Sequence, residues 1–243
     1  IRSLPRPLGM PPTSPVLAPF AWDTPFDPAA IDRSRPFMPA EFCPFAYLPA
    51  AAALPAEIWR RQNQLHALCG LELIQFFEWC GRLALAPLAR ELAGTRLGDH
   101  VRDFIAEEAT HSAQFAALCR AAAPELYAAD RPYFVRVAPA VRALVRLLAR
   151  PRRFPFWPWL MLVQEEKALH VSRTYLRDAD LLEPHFVAVY RLHAADEAHH
   201  VNWDEELIAE LWPRVPQWWR RCNARLLDRS EEHTSELQSL TNL

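Results

Sequence analysis

The pattern of hydrophobic and polar positions divides the chain near residue 55. Upstream, prolines interrupt the short apolar runs and almost no helical periodicity survives. Downstream, apolar residues recur three and four positions apart over long stretches, a spacing that gathers them on one helix face. Glu57 to about Ala93 reads as one long helix, closed by Gly94 and open to a bend at Pro87. A second runs from about Asp99, a candidate N-cap, to Ala122, with Pro124 as its stop. Residues 132–149 form a shorter helical segment, followed by a proline-rich link over 151–158. A third long helix is expected from Trp159 to Arg177 and a fourth from Pro184 to Leu211. Nothing alternates with period two for long, so the fold class is all-α.

The order of these helices narrows the architecture. A long connection separates the second and third long helices, as a ferritin-like four-helix bundle requires, because one crossover must traverse the bundle's length. Three regions follow: an irregular proline-rich arm over 1–55, a four-helix-bundle domain with extra helices over 56–228, and a tail over 229–243. The arm is expected to lie over the surface, with Trp22, Phe37 and Phe45 available to dock on the bundle. The tail run RSEEHTSELQS, residues 229–239, resembles the translation of a common sequencing adapter. It is read as non-native, which removes Glu231 and His233 from the site.

Composition adds limits rather than direction. A net charge of -2 gives no reason to expect a nucleic acid or an anionic membrane as partner. The longest apolar run, Phe154 to Val163, is broken by Pro155 and Pro158 and is too short to span a bilayer. Five scattered cysteines without metal-type spacing suit packed, reduced thiols. With no signal peptide read at the start, the expected location is cytoplasmic. Position 1 is Ile rather than Met, so an incomplete N-terminus is also expected.

Chemistry enters through two Glu-x-x-His motifs, Glu108 with His111 and Glu197 with His200. Residues three apart on a helix lie roughly 60° apart around its axis, so each pair can address one ion. Chance supplies roughly 0.7 of such motifs in a chain of this composition, so the setting decides. Each motif lies within an apolar helix, where a carboxylate is costly unless paired, protonated or bound to a cation. Each is also preceded by an acid, Glu107 or Asp196, placed to bond the far nitrogen of a metal-bound imidazole. Further carboxylates occur where the other two helices should supply them: Glu72 and Glu78 in the first, Glu165 and Glu166 in the third. One Glu from each of two helices plus Glu-x-x-His from each of the others is the carboxylate-bridged di-iron arrangement. Such hard donors suit iron, with manganese as an alternative.

His193 extends the last motif to His-x-x-x-Glu-x-x-His, all within about 60° on the helix. With this third histidine the chain resembles the p-aminobenzoate N-oxygenase family of arylamine N-oxygenases, over roughly residues 70 to 205. The Asp-Glu-Ala-His-His run at 196–200, Glu-Glu-x-x-His at 107–111, the Glu pair in helix one and Glu166 before His193 carry the likeness. The resemblance implies a ferritin-like di-iron oxygenase that uses O2 as co-substrate and an external electron donor to oxidise a small amine, an arylamine foremost. It implies the ligands Glu78, Glu108, His111, Glu166, His193, Glu197 and His200. A homodimer is an accompanying expectation. The interval from helix one to Glu108 is shorter than the family's, so Glu72 competes with Glu78. Glu78 is preferred because the turn at 94–98 is short and brings it nearer the depth of Glu108. Another di-iron oxidation, or an iron-binding protein without turnover, are the rival functions.

Blander roles suit other conspicuous residues. His170 is expected near the surface or behind the ligands, and His199 toward solvent. Phe154, Phe156, Trp157 and Trp159 read as packing at a helix start, and Arg142, Arg146, Arg150, Arg152 and Arg153 as a solvated face.

Overall fold

The computed structural model describes residues 20–49 and 53–240, with side chains through Asp228. Residues 1–19 and 50–52 of the expected arm lie outside the described residues, as do the side chains of Glu231 and His233. Six α-helices follow the chain: α1 (Ala56–Glu91), α2 (Arg96–Ala122), α3 (Pro139–Leu148), α4 (Phe156–Arg177), α5 (Pro184–Leu211) and α6 (Gln217–Leu240). Among the described residues there is no strand. α1 packs along α2 and α4 along α5, and contact between α2 and α5 joins the two hairpins. Residues 123–155, which include α3, make the crossover. This is the ferritin-like bundle. No helix among the described residues is long and apolar enough to cross a membrane.

Local chemistry sets the ends of the helices. Gly94 takes φ +80° in the turn after α1, a conformation that strains residues bearing a Cβ. The N-cap of α2 is Thr95, whose hydroxyl accepts from the Gly98 N–H at 3.1 Å. Asp99, the expected cap, instead sits inside the first turn and pairs with Arg102. Gly98 permits the close approach of the hairpin, because a Cβ there would meet the Leu92 carbonyl oxygen at 2.1 Å. α4 begins earlier than the proline pattern suggested, at Phe156, whose N–H is capped by the buried Asn223 side chain of α6. The aromatics there do pack at a helix start, with Trp157 buried and bonded to the Leu148 carbonyl. All five cysteines are free, three of them buried.

Only Pro139–Leu148 of the expected 132–149 segment is helical. Glu72 gives the reason. Its carboxylate, buried in α1, accepts from the N–H groups of Tyr133, Phe134 and Val135 at 2.7, 2.8 and 2.7 Å and from the Tyr127 hydroxyl at 2.7 Å. Backbone donors held by a side chain in this way need no helix to satisfy them. Replacing Glu72 with Ala would strand these donors and is expected to cost about 3 kcal/mol in chemical denaturation. Metal content, measured on the same protein, should not change.

The described part of the arm carries two short 3-10 helices, Ala40–Phe42 and Pro44–Tyr47, and does not merely cover the bundle. Phe37 is fully buried and stacks on Phe186 of α5 at 4.3 Å. Arg33 donates to the Ala121 and Ala122 carbonyls at the end of α2, at 2.8 and 3.0 Å. Asn63 of α1 bonds the Phe37 and Met38 backbone, and Glu183, the buried N-cap of α5, accepts from Asp32 N–H. At the other end, the α6 backbone stays helical through Leu240, into the run expected to be non-native.

Two apolar layers flank the bundle's middle. Phe115, Leu118, Phe186 and Tyr190 belong to one, and Val101, Phe104, Leu207 and Leu211 to the other. Glu108 and His111 of α2 and His193, Glu197 and His200 of α5 fall between them, buried from bulk water. They form the site.

Candidate metal centre

Four helices each present acid or imidazole groups to this middle layer. Two sets result: Glu78, His111 and His193, and Glu108, Glu165, Glu197 and His200, every member buried. Within each set the donor atoms lie within 4.8 Å of one another. Glu197 stands between them. Its Oε1 is 2.6 Å from His193 Nε2 and 3.7 Å from His111 Nδ1, while Oε2 is 3.1 Å from His200 Nδ1. Glu108 Oε1 is placed almost evenly, 3.3 Å from His111 Nδ1 and 3.4 Å from His200 Nδ1. Glu165 Oε2 approaches His200 Nδ1 at 3.9 Å and Glu78 Oε1 approaches His193 Nε2 at 3.9 Å.

The acid before each motif is wired crosswise. His111 of α2 donates its Nε2–H to Asp196 of α5 at 3.0 Å, and His200 of α5 donates Nε2–H to Glu107 of α2 at 2.8 Å. Each imidazole therefore turns Nδ1 inward, where a lone pair can serve an ion. Without a cation, the site holds protons instead. Burial alone would lower the pKa of both imidazoles. For His111 the bond to Asp196 and the adjacent carboxylate charge of Glu108 reverse this and raise it to about 9. For His200 the bonds to Glu107 and Glu197 raise it to about 10. Burial, with the charge of Glu108 next, pushes Glu78 well above the ordinary carboxylate range, and burial also raises Glu197. His193 is held neutral: burial and the nearby His111 and His200 push it well below its ordinary value.

Three buried atoms that face this centre, Glu78 Oε1, Glu108 Oε1 and His111 Nδ1, have no hydrogen-bond partner. Buried polar atoms are normally satisfied, so a cluster of unsatisfied electron-pair donors is the chemistry a cation would complete. The donor set fits two ions that share Glu197 and Glu108.

Sequence comparison bears on the same residues. The chain matches the P-aminobenzoate N-oxygenase AurF family over residues 17–230. It belongs to that family. No curated protein and no solved structure shows significant similarity to the chain.

The geometry alone sorts the expected site residues. Glu78, Glu108, His111, His193, Glu197 and His200 are all brought together. Glu166 is not. It is exposed, and Glu165 occupies the α4 position. The family-like interval before His193 favoured Glu166, but helix phase favours Glu165, which shares its face with the buried Trp157, Met161 and Ser172. In α1, Glu78 enters the centre, while Glu72, on a different face, is used by the crossover. His170 and His199 are exposed.

Several participants were not singled out from the sequence. Ser112, next to His111, donates to Glu78 Oε2. Arg82 of α1 donates to the Glu108 carbonyl at 2.7 Å and to Ser112 at 3.1 Å, tying α1 to α2 beside the ligands. Asp204, one turn beyond His200 on the same face, is buried, and its Oδ2 has no hydrogen-bond partner. Helical phase could have found Asp204; nothing local marks Arg82.

Proposed function

We propose that this centre binds two iron ions and that the protein is a di-iron N-oxygenase of an amine, with an arylamine as the first substrate to test. The observation that carries the reading is Glu197, whose two oxygens face two separate donor sets on one buried layer. Bound iron would supply O2 activation and the redox change that places oxygen on nitrogen, with electrons from an external donor. Iron suits carboxylate oxygens joined by a few imidazoles, and manganese is the alternative.

The chain's own residues do the rest. Glu197 and Glu108 would be shared between the ions, with Glu78, His111 and His193 on one side and Glu165 and His200 on the other. Asp196 and Glu107 keep the imidazole lone pairs directed inward. Phe104, whose ring lies 4.2 Å from that of His200, and Phe115, 5.1 Å from His193, keep the layer dry. The buried neutral His193 can offer an electron pair without first losing a proton.

Metal analysis of purified protein, its optical spectrum after reduction and exposure to O2, and conversion of a panel of arylamines test the reading together. Two irons per chain and conversion to the hydroxylamine, nitroso or nitro product are expected. Two irons with no amine converted would point to another di-iron oxidation or to iron binding without turnover. No iron would overturn the reading. The α4 ligand is tested alongside it. Glu165→Gln should lower iron to about one per chain by weakening the His200 side, with at least a tenfold loss in affinity. Glu166→Gln should leave two.

A further inference from the structure

The arm reaches the candidate centre through Trp22. Its indole N–H donates to Asp196 Oδ2 at 2.6 Å, the same oxygen that accepts from His111 Nε2 at 3.0 Å. Its ring also lies against the His111 imidazole, with centroids 4.5 Å apart and planes inclined by 38°, and meets Phe115 edge-on at 6.3 Å. These contacts span 174 positions in sequence between Trp22 and Asp196. The arm is held in place by bonds that owe nothing to the site, those of Arg33 to the end of α2 and of Asn63 to Phe37 and Met38.

Asp196 is a half-buried carboxylate with several directions open to it. A second donor on Oδ2 limits which of them the side chain uses, and a planar ring along one face of His111 limits the rotation of the imidazole. We propose that Trp22 is a positioning residue for the His111 half of the metal centre: it fixes Asp196 and the His111 ring so that Nδ1 faces the ions. This rests on the two-ion reading above. The His200 half is oriented by Glu107, which belongs to α2, so the arm's influence falls on one ion of the two. The arm is thereby part of the site and not only a cover for the bundle.

The test uses the metal-free full chain titrated with Co(II), followed through its visible absorption, with thermal unfolding of the metal-free protein in parallel. Trp22→Phe keeps a ring against His111 and removes the N–H. It should weaken one of the two cobalt sites about tenfold and leave the other unchanged, because loss of an outer partner of a metal-bound histidine has effects of this size. Trp22→Leu, which also removes the ring, should weaken the same site further. Adding Trp22→Phe to Asp196→Asn should cost nothing more, since the indole acts through that carboxylate. Those results support the assignment whether or not the variants melt at a slightly lower temperature, because a merely structural loss would not single out one ion. Wild-type affinity at both sites in Trp22→Phe, equal weakening of both, or full additivity with Asp196→Asn would overturn it. Cobalt binding to neither site of the wild-type chain would overturn the metal centre itself, and this inference with it.

Discussion

Glu197→Ala is expected to empty the centre of both ions and to end turnover, while leaving the helical fold intact. Each oxygen of this side chain faces a different donor set, so its loss takes a ligand from both at once. The loss of Glu165 or Glu78 should instead affect one ion. The metal-free fold should tolerate the change, because burial already raises the pKa of Glu197 and disfavours its charge there. Removing a buried carboxylate relieves that cost, and the cavity left behind offsets it by about 1–3 kcal/mol. Elemental analysis, far-ultraviolet circular dichroism and an arylamine assay on one preparation separate these effects. Two ions retained in Glu197→Ala would refute its shared role. An unfolded variant would show instead that Glu197 is needed for the fold itself.

The metal-free protein should lose stability as pH rises from about 6.5 to 9, and metal should remove most of that dependence. In the fold His111 and His200 keep their protons to about pH 9 and 10, whereas in the unfolded chain they release them near 6.5. The folded state thus binds more protons through this window, and the stability these groups contribute is complete below pH 6.5 and lost on the way up. Glu78 and Asp204, both raised well above the ordinary range by burial, work in the same direction. Each imidazole can contribute a slope of up to about 1.4 kcal/mol per pH unit. His193 opposes them on the acid side: its pKa is depressed, so stability falls as pH drops below its unfolded value. Bound cations would replace the protons as the positive charge, and metal uptake should release protons. Melting temperatures at pH 6.5 and 9, with and without metal, check the sign. A metal-free protein that becomes more stable toward pH 9 would contradict it.

The bundle was legible because helical periodicity in α1, α2, α4 and α5 is carried by many residues at once. The two Glu-x-x-His motifs were legible for the same reason: three-residue spacing on an apolar face has one geometric meaning. Adjacent acids were harder. Glu165 and Glu166 sit about 100° apart on the helix, and the choice depended on phase against Trp157, Met161 and Ser172 rather than on an interval to His193. Glu72 and Glu78 were separated by depth, which the short turn expected at 94–98 supplied. Glu72's actual use could not be read, because its partners are backbone N–H groups of the crossover and carry no residue signature. Trp22 was visible as an aromatic that could dock. Its target was not, because the arm has no period and its path depends on bonds such as those from Arg33 and Asn63.

The crossed pairing of His111 with Asp196 and His200 with Glu107 has a consequence for how this protein can change over generations. Each five-residue run, 107–111 and 196–200, carries the imidazole for its own helix and the acid for the other's. Neither run can be transplanted, lost or rewritten as an independent unit. A change of Glu107 is felt at His200 of α5 and a change of Asp196 at His111 of α2, so each run depends on the other for the orientation of its imidazole. The two runs are inherited, in effect, as a single trait written in two places.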